Sequence, residues 1–141
     1  MYRHILIPTD GSELAELGVA HGLSLAKLVG AKVTVVIAEE QVVSWSGAAE
    51  AFLRHTEHIK KHATSVLARV ANATKHAGVP CDTTQVEGVQ PYEAIIATAT
   101  DRGCDLIVMA SHGCSGLSAV VLGSVTNMVL THTNIPVLVV R

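Results

Sequence analysis

Aromatic side chains are scarce: one Trp, two Tyr and one Phe, at Trp45, Tyr2, Tyr92 and Phe52. A chain with so few rings has little with which to stack successive bases of a nucleic-acid strand. An excess of either charge is missing too. Ten basic and twelve acidic residues leave a net charge of −2, and the basic ones are scattered, so no patch offers itself to a phosphodiester backbone or an anionic membrane. Nucleic acid and membrane are therefore not expected partners. The cysteines Cys81, Cys104 and Cys114 contain no C-x-x-C pair, and an odd number cannot all be joined within one chain, which fits a reducing compartment. No apolar run approaches the ~20 residues of a membrane span. Met1-Tyr2-Arg3-His4 leads straight into an apolar segment of strand length, too short for a leader peptide. A cytoplasmic location is the expectation. Two familiar nucleotide signatures are also missing: no G-x4-G-K-[S/T] occurs, and no G-x-G-x-x-G follows the first apolar run.

What is plentiful is small and branched aliphatic side chains. Hydrophobic residues make up 49% of the chain against 16% charged, enough to cover a sheet on both faces within a single domain spanning 1–141. Ile5-Leu6-Ile7, Val33-Thr34-Val35-Val36-Ile37, Leu106-Ile107-Val108-Met109 and Val137-Leu138-Val139-Val140 are short, nearly unbroken runs that predict strands buried on both faces of a parallel sheet. Between them the spacing turns helical. Leu14, Leu17, His21, Leu25 and Leu28 recur at three- and four-residue steps before Gly30, predicting an amphipathic helix with His21 packed in the core. Phe52, Ile59, Ala63, Val66, Val70, Ala73 and Ala77 form the stripe of a longer helix that ends at Gly78-Val79-Pro80. Residues 39–50 precede it and are expected to be a mobile loop. A weaker edge strand follows over residues 82–87, then a helix opened by Pro91 and ending before Gly103. Alternating β and α elements with right-handed crossovers predict a doubly wound α/β fold with helices on both faces. In such sheets ligands bind beyond the carboxyl ends of the strands, where neighbouring connections leave in opposite directions.

The segment Met109-Ala110-Ser111-His112-Gly113-Cys114-Ser115-Gly116-Leu117, continuing to Leu122-Gly123-Ser124-Val125, follows a buried strand and runs into the last helix. Its glycines let backbone amides approach a bulky anion, and Gly123-Ser124-Val125 opens a helix whose first N–H groups carry partial positive charge. Ser111, Ser115 and Ser124 add hydroxyl donors, so phosphate is the ligand chemistry this segment suits; a plain surface loop ended by a helix cap is the structural alternative. The first strand ends in Pro8-Thr9-Asp10-Gly11-Ser12. Asp10 there suits a ribose hydroxyl or an adenine amino group, and it also suits a capping box with Glu13.

Other chemistry-bearing residues carry weaker signals. His55, His58 and His62 share one side of the long helix, and His58 and His62 have the i, i+4 spacing of a metal pair, although the same pattern describes an ordinary helix boundary. His112 has no carboxylate or nucleophile fixed beside it in sequence. Glu39 and Glu40 follow the second strand within reach of a cation. Cys114 reads as a solvent-facing residue or, since nearby helix amides favour a thiolate, as a reactive thiol, and Cys81 and Cys104 as small buried or half-buried ones.

Pro8-Thr9-Asp10, Ser111-His112-Gly113, Leu122-Gly123-Ser124 and the closing Pro136-Val137-Leu138-Val139-Val140 together resemble the universal stress protein family along the whole chain. The signature of its ATP-binding branch is G-x2-G-x9-G-[S/T]. The corresponding stretch here is Ala110-x2-Gly113-x9-Gly123-Ser124, with Ala110 in place of the first glycine. The added methyl is harmless at negative φ but crowds a ribose packed against it. Cys114 stands where many relatives carry Arg or Lys, so the loop lacks a charge that would offset phosphate. The resemblance implies a Rossmann-like, five-stranded parallel sheet in the order 3-2-1-4-5 and ATP as ligand, with Mg2+ or Mn2+. It further implies Pro8, Thr9 and Asp10 along the adenosine, the backbone near Ala38 against adenine, and Gly113, Gly123, Ser124 and Val125 on the phosphates. Met109, Ala110 and Ser115 belong with these binding positions. A homodimer paired through the strand at 135–140 is implied as well, and the apolar edge of that strand argues for it independently.

The expected function is a stress-response regulatory module that binds ATP, acts as a dimer and is read by a protein partner. One alternative is a slow ATPase or nucleotidyl-transfer enzyme on the same site, for which Asp10 is the candidate carboxylate. The other is a dimeric scaffold that binds no nucleotide.

Overall fold

The computed structural model describes residues 1–39, 49–112 and 122–141. Strands and helices alternate in the order β1 (His4–Pro8), α1 (Glu13–Val29), β2 (Lys32–Glu39), α2 (Ala49–Ala77), β3 (Cys81–Glu87), α3 (Pro91–Asp101), β4 (Leu106–Ala110), α4 (Ser124–His132) and β5 (Val137–Val140). The strands form one five-stranded sheet in the order β3-β2-β1-β4-β5, and every pairing is parallel. This is the doubly wound arrangement expected, with β3 and β5 at the edges.

The runs of β1, β2 and β4 form strands because both of their faces are covered, whereas β5, expected to be buried on both faces, lies at the edge with Leu138 exposed and Val137 and Val139 half-buried. Ile5, Ile7, Val33, Val35, Ile37, Leu106 and Val108 meet α1 and α2 on one side, where Val19, Leu23, Val66 and Val70 pack against them. Leu6, Val36, Ile107 and Met109 meet Ile95, Ala99 and Val129 of α3 and α4 on the other. Alternate residues of one strand thus serve two cores. Gly30, Gly78 and Gly103 follow helices and take positive φ, a conformation that L side chains rarely adopt.

α1 departs from the expected stripe. It buries Ala15, Gly18, Val19, Gly22, Leu23 and Ala26, whereas Leu17 and Leu28 are 50% and 83% exposed. His21 lies on the exposed side with them, its Nδ1 bonded to the Leu17 carbonyl at 3.0 Å, so it is not a core histidine. The contact face is made of small residues because the helix lies close to the sheet. A Cβ built on Gly22 would stand 2.3 Å from Ile7 Cδ1, and one on Gly18 would stand 3.2 Å from the Ala110 nitrogen. α2 keeps the expected Ala63, Val66 and Val70, with Thr74 buried next in line and Ala73 exposed.

The start of α1 also differs from the capping box expected between Asp10 and Glu13. Ser12 is the N-cap, its hydroxyl accepting from Ala15 N–H at 3.2 Å. Asp10 instead closes the turn before it, Oδ1 accepting from Ser12 N–H at 2.9 Å.

Candidate functional site

β1 leads into a crossover to β2 on one side while β4 lies on its other side, so a crevice opens where these strands end. A cavity of about 320 Å3 occupies it. Pro8, Thr9 and Asp10 reach it from the end of β1, Ala38 from β2, Met109 and Ala110 from β4, and Gly123, Ser124 and Val125 from the start of α4. These are the binding positions expected from sequence; the remaining two, Gly113 and Ser115, lie outside the described residues, as does Cys114. Ala15, Pro91, Ile95, His112 and Thr126 complete the wall. Pro91 and Ile95 escaped sequence reasoning because α3 reaches the site only through its packing against β2 and α4. Their one signal was the proline opening that helix.

The β1–α1 turn is held by its own groups and by its neighbours β2 and α2. Thr9 N–H bonds to the Val36 carbonyl at 3.0 Å, Gly11 N–H to Thr9 Oγ1 at 3.2 Å, and Ser12 N–H to Asp10 Oδ1 at 2.9 Å. Gly11 takes φ +82, and a Cβ there would lie 2.6 Å from Val66 Cγ2 of α2. The turn therefore passes directly against α2, and only glycine fits.

Opposite the turn stands the N-terminus of α4. Gly123 is its N-cap, with an extended backbone and no side chain to satisfy the first turn. Its own N–H is committed to the Ser111 carbonyl at 2.8 Å. The amides of Ser124 and Val125 have no intrahelical acceptor and carry the positive end of the helix dipole, which suits an anion. Thr126 Oγ1 donates to the Ala110 carbonyl at 2.8 Å and ties the helix to β4.

His112 is buried beside this helix start. Its Nδ1 pairs with Ser111 Oγ at 2.8 Å, while Nε2 has no partner among the described residues. A buried imidazole nitrogen costs free energy unless something bonds to it, and this one belongs to a side chain lining the cavity. Ala110 bears on the methyl left open by the sequence. No described non-glycine residue has positive φ, so the alanine sits on ordinary backbone, and any effect of the methyl is on cavity width alone.

The other titratable groups with a shifted proton affinity lie outside the cavity lining. Burial pushes the Glu39 carboxyl up; His62 pulls it back, Glu87 raises it further and His55 lowers it. Among the described residues no group of three His, Cys, Asp or Glu side chains could hold a metal ion; Glu40 lies outside the described residues. Instead His62 Nε2 donates to the Asp10 carbonyl at 2.9 Å. Burial and the adjacent Asp105 push the Cys104 thiol up to about 11, and burial with Asp82 raises Cys81. Both are protonated near neutrality and weak as nucleophiles. No described helix is long and apolar enough to cross a membrane.

The sequence pattern of the universal stress protein family matches residues 1–141. The universal stress protein MJ0577 of Methanocaldococcus jannaschii is 31% identical over 156 residues, an alignment spanning all of this chain and 96% of the relative. Its solved structure superposes with a TM-score of 0.88 over 99% of this chain and 96% of the other. A universal stress protein solved in complex with cAMP is 25% identical, with a TM-score of 0.76 over 99% of this chain and 97% of its own. One from Archaeoglobus fulgidus, solved in complex with dAMP, shares the fold at 20% identity, with a TM-score of 0.68 over 99% of this chain and 98% of its own.

Proposed function

The chain belongs to the universal stress protein family, and from that premise we propose that its cavity binds ATP and that nucleotide occupancy makes the protein a stress-response regulatory switch. The observation that carries this reading is the pairing of two chemistries across about 320 Å3. Pro8, Ala15, Ala38, Pro91, Ile95 and Met109 give apolar walls suited to a flat base and a sugar. The uncapped amides of Ser124 and Val125, with His112 Nε2 unpartnered among the described residues and its side chain lining the same cavity, suit phosphate oxygens. Relatives of the same fold in complex with cAMP and with dAMP support an adenine nucleotide as the class.

In this reading Pro8, Thr9 and Asp10 lie along the adenosine, Ala38 meets the base, and Met109 and Ala110 border the sugar. Gly113, Ser115, Gly123, Ser124 and Val125 surround the phosphates. Mg2+ or Mn2+ would accompany the nucleotide and reduce the charge of its phosphates, a role common for Mg2+. Regulation needs only that the bound and free forms differ at the loops after β1, β2 and β4, which a protein partner then reads. The protein acts in the cytoplasm as a single-domain subunit of a homodimer joined through β5.

Denaturing freshly purified protein and identifying what it releases by chromatography and mass spectrometry tests the ligand. ATP in near-stoichiometric yield, or saturable heat on titration with Mg-ATP, is the expected result. Neither release nor heat at millimolar nucleotide would overturn the reading.

A further inference from the structure

We propose that His62 of α2 is a positioning residue for the cavity, holding the β1–α1 turn so that Pro8, Thr9 and Asp10 face the ligand. The claim rests on the nucleotide reading above for its functional consequence, but on geometry for its cause. Within the turn, the N–H groups of Gly11 and Ser12 are satisfied by Thr9 Oγ1 and Asp10 Oδ1. The Asp10 carbonyl is met from elsewhere in the fold, by His62 Nε2 at 2.9 Å. A carbonyl can only accept, so Nε2 carries the proton.

A second contact makes this a seat and not a chance touch. The turn at Gly11 passes so close to α2 that an added Cβ would lie 2.6 Å from Val66 Cγ2 and 3.1 Å from His62 Nε2. Val66 is buried and His62 stands one helical turn before it, on the same side of α2. The helix thus fixes the turn twice, by packing at Gly11 and by a hydrogen bond at Asp10. Among the described residues none of α2 lines the cavity itself, yet the helix sets the conformation of a stretch that forms one wall. A shift of α2 moves that wall, and by linkage a ligand gripping the wall stabilises α2 in place.

The test compares His62→Ala with His62→Gln, because the glutamine Nε2 sits as many bonds from Cα as the imidazole Nε2 and can restore the donor. Lys61→Ala, exposed on the same helix, is the control. Titration calorimetry should show His62→Ala weakening AMP and ATP by the same factor, about fivefold or more, since the turn grips the nucleoside and not the phosphates. His62→Gln should recover most of the loss and Lys61→Ala should show none. Wild-type binding with His62→Ala unchanged would overturn the proposal, as would a loss that glutamine does not restore. If the wild-type protein binds no nucleotide, the ligand reading fails by itself. Amide exchange in the ligand-free protein then decides: faster exchange at Gly11 and Ser12 in His62→Ala, slowed again in His62→Gln, supports positioning, and equal rates overturn it.

Discussion

His4 begins β1 at the opposite end of the sheet from the cavity, buried and bonded on both ring nitrogens. Nδ1 faces the Arg102 carbonyl at 3.1 Å and Nε2 faces Thr34 Oγ1 at 2.8 Å. The carbonyl requires a proton on Nδ1, so Nε2 of the neutral ring accepts from the threonine hydroxyl, and a second proton would force that hydroxyl to turn round and accept. Burial, then the Lys32 charge, lowers the affinity for this proton; the Arg102 carbonyl and Asp105 work the other way, and the outcome is a value below the ordinary 6.5. The unfolded chain therefore binds protons that the folded one refuses. The contribution of His4 is fully present above 6.5 and shrinks as pH falls from there towards the depressed folded value. Urea midpoints between about pH 7.5 and about pH 5.5 should fall in the wild-type protein and fall less in His4→Gln. Parallel profiles would show that the loss arises elsewhere. Ala110 poses a question of space at the same scale. With ordinary backbone at this position, Ala110→Gly should leave nucleotide affinity unchanged while costing about 0.5–1 kcal/mol of stability. Ala110→Val narrows the cavity and should weaken binding on the order of tenfold or more. Calorimetry with matched urea melts separates the two effects.

At the scale of elements, the sequence reveals what burial on two faces imposes and hides what close approach imposes. β1, β2 and β4 were legible because a strand covered on both sides reads as an aliphatic run; β5 reads the same way although Leu138 is exposed. The ends of α1, α2 and α3 were legible from Gly30, Gly78 and Gly103. The contact face of α1 was not, because leucines mark an apolar stripe whereas Gly18 and Gly22 mark the side that can lie against Ile7 and Ala110. Counting large residues thus rotated the helix and put His21 inside. The energetic consequence is measurable. Leu23, 4% exposed, should cost about 2–5 kcal/mol when changed to Ala, whereas Leu28→Ala should stay within about 0.5 kcal/mol. Equal losses in chemical denaturation would mean that the outer leucines are covered in solution. The position of the site was legible by a different route, from the switch point of a doubly wound sheet and from the Pro8-Thr9-Asp10 and Gly123-Ser124 motifs. Pro91, Ile95 and His62 were not, since each reaches the site or its turn through tertiary placement far from any motif.

For the whole molecule the open question is the β5 edge. In a parallel ladder alternate residues turn their backbone groups to the same neighbour. Ile107 N–H bonds to the Pro136 carbonyl and Ser111 N–H to the Val140 carbonyl, so Leu138 and Val140 serve β4 while the N–H and C=O groups of Val137 and Val139 point outward. Leu138, 43% exposed, extends the apolar surface beside them. An edge of this kind is a template for pairing, and a two-fold axis beside it lets one strand satisfy its own copy. Val139→Pro removes one outward donor without touching the bonds to β4, a position at which an edge strand tolerates proline. Light scattering after size exclusion should give twice 14.8 kDa for the wild-type protein and 14.8 kDa for the variant, with the circular dichroism of the subunit retained. A wild-type monomer at micromolar concentration would overturn the dimer, and a variant that still elutes as a folded dimer would place the interface elsewhere.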